Sequence, residues 1–405
     1  MKIAEGILMQ MKGIRKSQRK FMMVLFNTIL SMSGRVNFAN LSRYSAYNEK
    51  SYSRNFQALF DFVKFNALTI EQVYDPSHEY ILASDASFIP KSGKTTYGLG
   101  KFWNGVQSRH MKGLEISNFA LVDVTSKTAY TLTVDQVPPS FQEPGQSAID
   151  FFLSQLNELA QRQLPIKLPH HLAVDGVYSK QKFVDGSLKS GIDVIGKLRK
   201  DANLRYLYQP PKHQKRTPGR PRSFDGKINC KSPDLSKFHC EGYLHEQLCL
   251  YSCIVYSITL RRRIKLLYLR QMPKSGKITY ALLFSTDLKL DAMSIYRYYT
   301  ARFQIEFIFR DAKQHTGLTH CQARSKNSLK FHFNMSLSLL NLARIEHQLE
   351  TPNWFNLPFS MASYKRRHAN ELMLKLFLSK LDIDPNMQKI QHIYHKLRNF
   401  GVIAA

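Results

Sequence analysis

The sequence predicts an α/β protein in which a mixed core lies between a helical N-terminal region and a helical C-terminal region. Apolar runs of strand length begin at Tyr80 and recur as far as Ser285. Apolar residues at helical spacing occupy Ser147–Leu164, and the chain turns helical again after Asp291. With 405 residues, the chain has room for two or three domains.

The composition is ordinary for a soluble globular protein except for its charge. There are 58 Lys and Arg residues against 30 Asp and Glu residues, a formal net charge of +28. This excess predicts a polyanionic partner, and nucleic acid is the first candidate because neutralising phosphates releases counterions. The five cysteines contain no CxxC pair and are predicted to be reduced thiols. The apolar stretch Phe21–Met32 is too short to span a bilayer, so no membrane partner is expected.

Residues 1–75 are predicted to form a helical DNA-binding domain. Asn40–Ser45 and Lys50–Phe56 are typical of two short helices separated by a polar turn, which would fit a helix-turn-helix. Lys50 and Arg54 would then be available to a DNA groove. The alternative is a small helical bundle with a solvated basic face.

The first part of the core, residues 76–200, is predicted to contain three strands, a helix, a strand, a helix and a final strand. The predicted strands are Tyr80–Ile89, Ile116–Val124, Ala129–Val137, His171–Val174 and Asp193–Lys197. This order of elements is that of an RNase H-like (retroviral integrase-like) core.

Residues 201–288 interrupt the core with a predicted basic loop and β-strand insertion. Pro218–Arg222 resembles the core of a minor-groove hook, in which Arg220 would enter an A·T-rich groove. A mobile loop that contacts phosphates without sequence preference is the alternative. Three further strands are predicted at Cys249–Leu260, Ile264–Arg270 and Ile278–Ser285. Residues 289–325 are predicted to hold the last core helix, and residues 326–405 a helical C-terminal region.

The segment around that last core helix is the most informative part of the chain. On one continuous helix, Tyr299, Arg302, Glu306 and Lys313 would all project within about 60° of one another. A carboxylate between two cations is suited to holding a metal while its neighbours grip phosphates. The alternative is a solvated face with an ordinary Arg302–Glu306 pair.

Two aspartates on predicted strands complete the set. Asp85 lies among small residues in the first strand, and Asp175 follows a buried apolar strand and precedes Gly176. A carboxylate ending a buried strand is costly unless it is paired or bound to metal. Each alone could be a turn or cap residue. In an RNase H-like sheet the first and fourth strands are neighbours and the late helix crosses them, so Asp85, Asp175 and Glu306 would converge and could bind two Mg²⁺ ions.

These residues resemble the DDE transposases of bacterial insertion sequences, specifically the insertion-sequence-four family. That family is marked by Y-(2)-R-(3)-E-(6)-K, which Tyr299, Arg302, Glu306 and Lys313 match in residue type and in spacing. The two aspartate motifs correspond to Asp85-Ala-Ser-Phe and to Asp175-Gly-Val-Tyr. The likeness covers roughly residues 35–345, and Phe303 stands where many relatives have Trp.

The resemblance implies a mobile-element enzyme that binds the inverted repeats at transposon ends, cleaves them and joins them to target DNA. It implies a catalytic, metal-binding set of Asp85, Asp175 and Glu306, two Mg²⁺ ions replaceable by Mn²⁺, and phosphate contacts from Tyr299, Arg302 and Lys313. It also implies a homodimer in the synaptic complex and a cytoplasmic, nucleoid-associated location. The alternatives are a catalytically inactive, transposase-derived DNA-binding protein and an RNase H-like nuclease without strand transfer.

Overall fold

The N-terminal part of the chain is helical. The computed structural model describes residues 1–139, 147–210, 219, 221–245, 247–272, 278–351, 359–384 and 386–403. The first five helices are α1 (Lys2–Gln10), α2 (Lys16–Ser31), α3 (Phe38–Arg43), α4 (Glu49–Asn55) and α5 (Phe62–Glu71). Side chains of Asn37, Asn48 and Asp61 accept backbone N–H groups at the starts of α3, α4 and α5, which satisfies donors that a helix leaves free.

The core begins with four strands, of which the third is the longest and pairs with the other three. The elements are β1 (Tyr80–Pro90), β2 (Gly100–Asn104), β3 (Arg109–Asp123), β4 (Thr128–Val137), α6 (Ala148–Ala160), β5 (His171–Val174), α7 (Gln181–Lys189) and β6 (Asp193–Leu198). β1 runs antiparallel to β3 and parallel to β5, and β5 runs parallel to β6.

The strands of the insertion extend this sheet. They are β7 (Leu204–Leu207), β8 (Phe224–Lys227), β9 (His239–His245), β10 (Leu248–Ser257), β11 (Arg262–Gln271) and β12 (Thr279–Ser285). The strand order is β2-β3-β1-β5-β6-β12-β11-β10-β7-β8, with β4 beside β3 and β9 beside β10. The returning strand β12 therefore pairs directly with β6, where the insertion left the core.

Helices cover both faces of the sheet. One hydrophobic cluster contains Ala83, Ala173 and Leu283 from the sheet together with residues of the N-terminal helices and of α8 (Ala292–Ala301), α9 (Gln304–Asp311) and α10 (Lys326–Glu350). The opposite face packs against α6 and α7. Two further helices follow, α11 (Met361–Lys380) and α12 (Gln388–Arg398). No helix among the described residues is long and apolar enough to cross a membrane.

The predicted strands are confirmed within a few residues for β1, β4, β5, β6, β10, β11 and β12, whereas β3 starts seven residues before its predicted position. Four strands, β2, β7, β8 and β9, were not predicted. β2, β7 and β8 have only four or five residues each and β9 is largely exposed, so none of them has the longer apolar pattern that indicates a strand.

Candidate active site

Asp85 and Asp175 lie level with each other on neighbouring strands. In the parallel β1–β5 pair, Ser84 is opposite Val174, so the next residue of each chain segment is an aspartate. Successive side chains of a strand point to opposite faces. Because Ala83 and Ala173 both pack into the cluster that includes α8 and α9, the two aspartates project to that face.

The segment that carries Glu306 is not the single helix that the sequence predicted. α8 ends at Ala301 and α9 begins at Gln304. Between them the hydrogen bonds are of the three-residue type, from Phe303 N–H to the Thr300 carbonyl at 3.1 Å and from Glu306 N–H to the Phe303 carbonyl at 3.0 Å. The sequence around Arg302 contains no Gly or Pro that would have indicated the break.

Arg302 connects the first and third acidic residues across this break. Its Nη1 lies 3.3 Å from Asp85 Oδ2, and its Nη2 lies 3.5 Å from Glu306 Oε1. The Arg302 side chain is only 11% exposed, and its Nε is buried without a hydrogen-bond partner among the described residues. Glu306 is therefore beside Asp85 although a helix break separates it from Tyr299.

The other two residues of the Y-(2)-R-(3)-E-(6)-K pattern, Tyr299 and Lys313, have different surroundings. The Arg302 guanidinium lies over the Tyr299 ring, 5.6 Å from its centroid, and burial raises the pKa of Tyr299 above its ordinary value. Lys313 lies on a π-helical turn, Ala312–Thr316, that follows α9. Burial lowers the pKa of Lys313, and no ion pair joins it to an acidic residue in the part of the chain that the structure describes.

The charges at the site oppose one another. Burial and, to a smaller extent, the nearby carboxylates of Asp175 and Glu306 raise the pKa of Asp85 to about 6, although the Arg302 guanidinium opposes the shift. Asp85 Oδ1 accepts the Ala86 N–H at 2.8 Å, and Asp175 Oδ1 accepts the Val177 N–H at 2.8 Å. Clustered carboxylates that resist ionisation favour a bound cation.

A fourth acidic residue near the site, Glu115, was not predicted. It lies on β3 opposite Phe88 of β1, and burial together with the charge of Asp85 raises its pKa to about 7. The signal that could have found it is a carboxylate placed directly between two apolar residues, Leu114 and Ile116, next to a predicted strand.

A second group of possible metal ligands lies toward the other end of the strands, at the start of β5, at the start of β6 and just after β12. Among the described residues, His171, Asp193 and Asp287 are the trio whose ligand atoms all lie within 4.8 Å of one another. His171 Nε2 is 3.2 Å from Asp287 Oδ2, and Asp287 Oδ1 accepts the Lys289 N–H at 2.9 Å. The Thr286 hydroxyl donates to Asp193 Oδ1 at 2.6 Å. We refer to these three residues as the compact cluster.

The predicted DNA-contact residues outside the core are placed as follows. Lys50 and Arg54 are exposed on α4, whereas Tyr52 on the same helix is buried. α3 and α4 pack against each other as two short helices. Arg220 lies outside the described residues. The assignment of Lys50, Arg54 and Arg220 to DNA therefore stays a prediction.

Comparison with known proteins adds one result. A family model described as a transposase DDE domain matches residues 76–342, a range that contains Asp85, Asp175 and Glu306. No curated protein matches the chain.

Proposed function

Because the chain belongs to the family of transposase DDE domains, whose fold is RNase H-like, we propose that it is an active DNA transposase with Asp85, Asp175 and Glu306 as its catalytic, metal-binding set. The observation that supports this most is the convergence of the three residues. Asp85 and Asp175 are level on one face of the sheet, and Arg302 joins Asp85 to Glu306.

The residues fit a pair of hard divalent cations. The donors are carboxylate oxygens, which Mg²⁺ prefers and Mn²⁺ accepts. Burial, helped by the neighbouring Asp175 and Glu306, raises the pKa of Asp85 to about 6 despite Arg302, so a bound cation would stabilise its carboxylate form. Asp85, Asp175 and Glu306 would hold two such ions, which would supply Lewis-acid activation of an attacking oxygen and neutralisation of a leaving one in phosphoryl transfer.

The chain's own basic and aromatic residues would hold the DNA strand. Arg302 is nearly buried beside two of the acidic residues, so its guanidinium can offer N–H donors to a phosphate without losing their alignment. The guanidinium lies over the ring of Tyr299, which supports it. Burial lowers the pKa of Lys313 and so disfavours its charged form, and a phosphate beside it would favour that form.

End recognition is assigned to the N-terminal helices. Lys50 and Arg54 project from the exposed side of α4, and a net charge of +28 favours association with duplex DNA. We further propose that the protein belongs to the insertion-sequence-four group of these enzymes, acts on inverted repeats as a homodimer, and associates with the nucleoid. The Y-(2)-R-(3)-E-(6)-K spacing supports the group assignment.

The test is an excision assay on a plasmid that carries the DNA flanking the gene, with Mg²⁺ or Mn²⁺. Wild type is expected to release the flanked segment. Asp175→Asn and Glu306→Gln are expected to bind the ends but not cut them. Asp193→Asn, which changes an acidic residue of the compact cluster, is the matched control and is expected to cut. A wild type that binds the ends and never cuts would instead identify an inactive, transposase-derived DNA-binding protein.

A further inference from the structure

The insertion carries a line of basic residues on the same sheet face as the proposed catalytic residues. Strand pairing aligns Lys227 of β8 with Arg205 of β7, Arg205 with Tyr256 of β10, and Tyr256 with Arg263 of β11. Directly paired residues of neighbouring strands share a face. We call Arg263, Tyr256, Arg205 and Lys227 the basic row.

The face of the row follows from the alternation of each strand. Leu250 of β10 and Leu267 of β11 pack into the cluster that contains Ala83 and Ala173. Tyr256 and Arg263 are separated from those leucines by an even number of residues, so they project to the same face. The neighbouring Arg262 projects to the other face, where it pairs with Asp185 of α7.

The row is open and its charges are uncompensated. Arg263, Arg205 and Lys227 are exposed, and no ion pair involves them among the described residues. The nearest acidic residue along β8, Asp225, is already paired with Arg222 at 2.7 Å and with Lys237 at 2.6 Å.

Aromatic rings support Arg205, one of the basic residues of the row. The Arg205 guanidinium lies 5.4 Å from the centre of the Phe224 ring, and that ring lies 5.0 Å from the ring of Tyr256. A guanidinium supported on a ring keeps its N–H donors directed outward with less loss of side-chain entropy. The half-buried Tyr256 is packed against its neighbour, so phosphates fit this surface better than unstacked bases do.

The spacing relates the row to the catalytic residues. Strands lie about 4.8 Å apart and rise about 3.3 Å per residue, which places the basic row roughly 20–30 Å from Asp175. Duplex DNA advances about 3.4 Å per base pair along each strand, so this corresponds to roughly six to nine base pairs. We infer that the basic row binds the phosphate backbone of the same duplex that is held at the active site, and this inference rests on the proposed function.

The experiment measures binding of end duplexes in Ca²⁺, with the DNA extended from four to ten base pairs on either side of the cleavage point. Wild type is expected to gain affinity with the extension. Arg205→Ala combined with Arg263→Ala is expected to lose about tenfold on the long duplex and to flatten the slope of log K against log salt by about two. The side whose extension matters identifies the DNA that the row holds.

Two controls keep the result interpretable. Arg205→Lys with Arg263→Lys retains both charges and should keep the salt slope, and Lys389→Ala with Lys396→Ala removes two exposed charges from α12. An unchanged affinity and slope in the Arg-to-Ala protein, with an unchanged unfolding midpoint, would overturn the inference. If wild type cuts ends while the row variant binds them normally, the inference alone fails. If wild type shows no preference for end DNA but the row variant loses duplex binding, the proposed function alone fails.

Discussion

Two groups of potential metal ligands lie toward opposite ends of β5, with His171 at its start and Asp175 just after its end. They differ in how the charges of their carboxylates are compensated. Asp287 of the compact cluster has its carboxylate held by Lys289 N–H and His171. Burial would raise the pKa of Asp287, but these partners hold it below its ordinary value. In the proposed catalytic set, by contrast, burial raises the pKa of Asp85 to about 6 even with Arg302 beside it.

This difference is the reason that we propose a structural role for the compact cluster and a catalytic role for Asp85, Asp175 and Glu306. The compact cluster has the shorter distances between ligand atoms, yet hydrogen bonds within the protein already hold both Asp287 oxygens and Asp193 Oδ1. In the proposed catalytic set, burial raises the pKa of Asp85 although Arg302 is beside it. Proximity of potential ligands is thus a weaker indicator of a cation site than unsatisfied charge.

Cation binding should distinguish the two groups by the largest factor. Asp175→Asn is expected to weaken Mn²⁺ binding at least about a hundredfold, because even groups behind a metal ligand contribute about 10–100-fold. Electron paramagnetic resonance of bound Mn²⁺ measures this without DNA or turnover. Asp193→Asn should leave the affinity unchanged. The reverse pattern would assign the cation to the compact cluster.

Arg302 should matter next most. Arg302→Ala is expected to lower the cleavage rate at saturating DNA by about tenfold to a hundredfold, since it removes charge-assisted hydrogen bonds worth about 1.5–3 kcal/mol. Arg302→Lys keeps the charge but loses the forked donors, so its cleavage rate should lie between those of wild type and Arg302→Ala. Single-turnover cleavage of an end duplex measures the effect. Equal rates for the three proteins would remove Arg302 from the site.

The compact cluster should affect stability instead. Asp287→Ala is expected to lower the free energy of unfolding by about 1–2 kcal/mol, because it leaves the Lys289 N–H and His171 without their acceptor. Urea unfolding at pH 7.5 measures the change. The cleavage rate per folded molecule should stay at the wild-type value. A loss of rate without a loss of stability would contradict the structural role.

Asp85→Asn should instead raise the free energy of unfolding. The pKa of Asp85 is about 6 in the folded protein against an ordinary 3.8, so ionisation of this carboxyl destabilises the folded state. The loss of stability is absent below pH 3.8 and complete above about pH 6. At pH 7.5 in EDTA the variant is expected to be more stable than wild type by about 1–2 kcal/mol. At pH 4.5 the gain should shrink to about a third. Urea unfolding at both values checks this, and a destabilised variant at pH 7.5 would show that Arg302 compensates Asp85 fully.

The sequence predicted the proposed catalytic set, whereas it did not predict the compact cluster. Buried strands such as β5 have continuous apolar residues, and the aspartates that follow or interrupt them stand out. The compact cluster depends on β12 returning beside β6, and nothing local near His171 indicates that pairing. Long-range strand pairing leaves no periodicity in a single segment.

The helix break at Arg302 shows a second limit of sequence patterns. A period of 3.6 indicates which residues share a face, but not whether every four-residue hydrogen bond is made. The face was predicted correctly for Arg302 and Glu306, which do meet, and the continuous helix was wrong. Exposed strands such as β8 were missed because Phe-Asp-Gly-Lys is more typical of a turn.

The direct pairing of β6 with β12 also bears on how this architecture can vary. The chain leaves the core at Leu198 and re-enters at Thr279 on the adjacent strand, so the two ends of the detour are fixed side by side. Lengthening or trimming the excursion at its outer turns, such as the one between β10 and β11, would not shift Glu306 relative to Asp175. The number of residues between the second and third acids is thus free to drift over evolution, and new modules could be grafted there without rebuilding the chemistry.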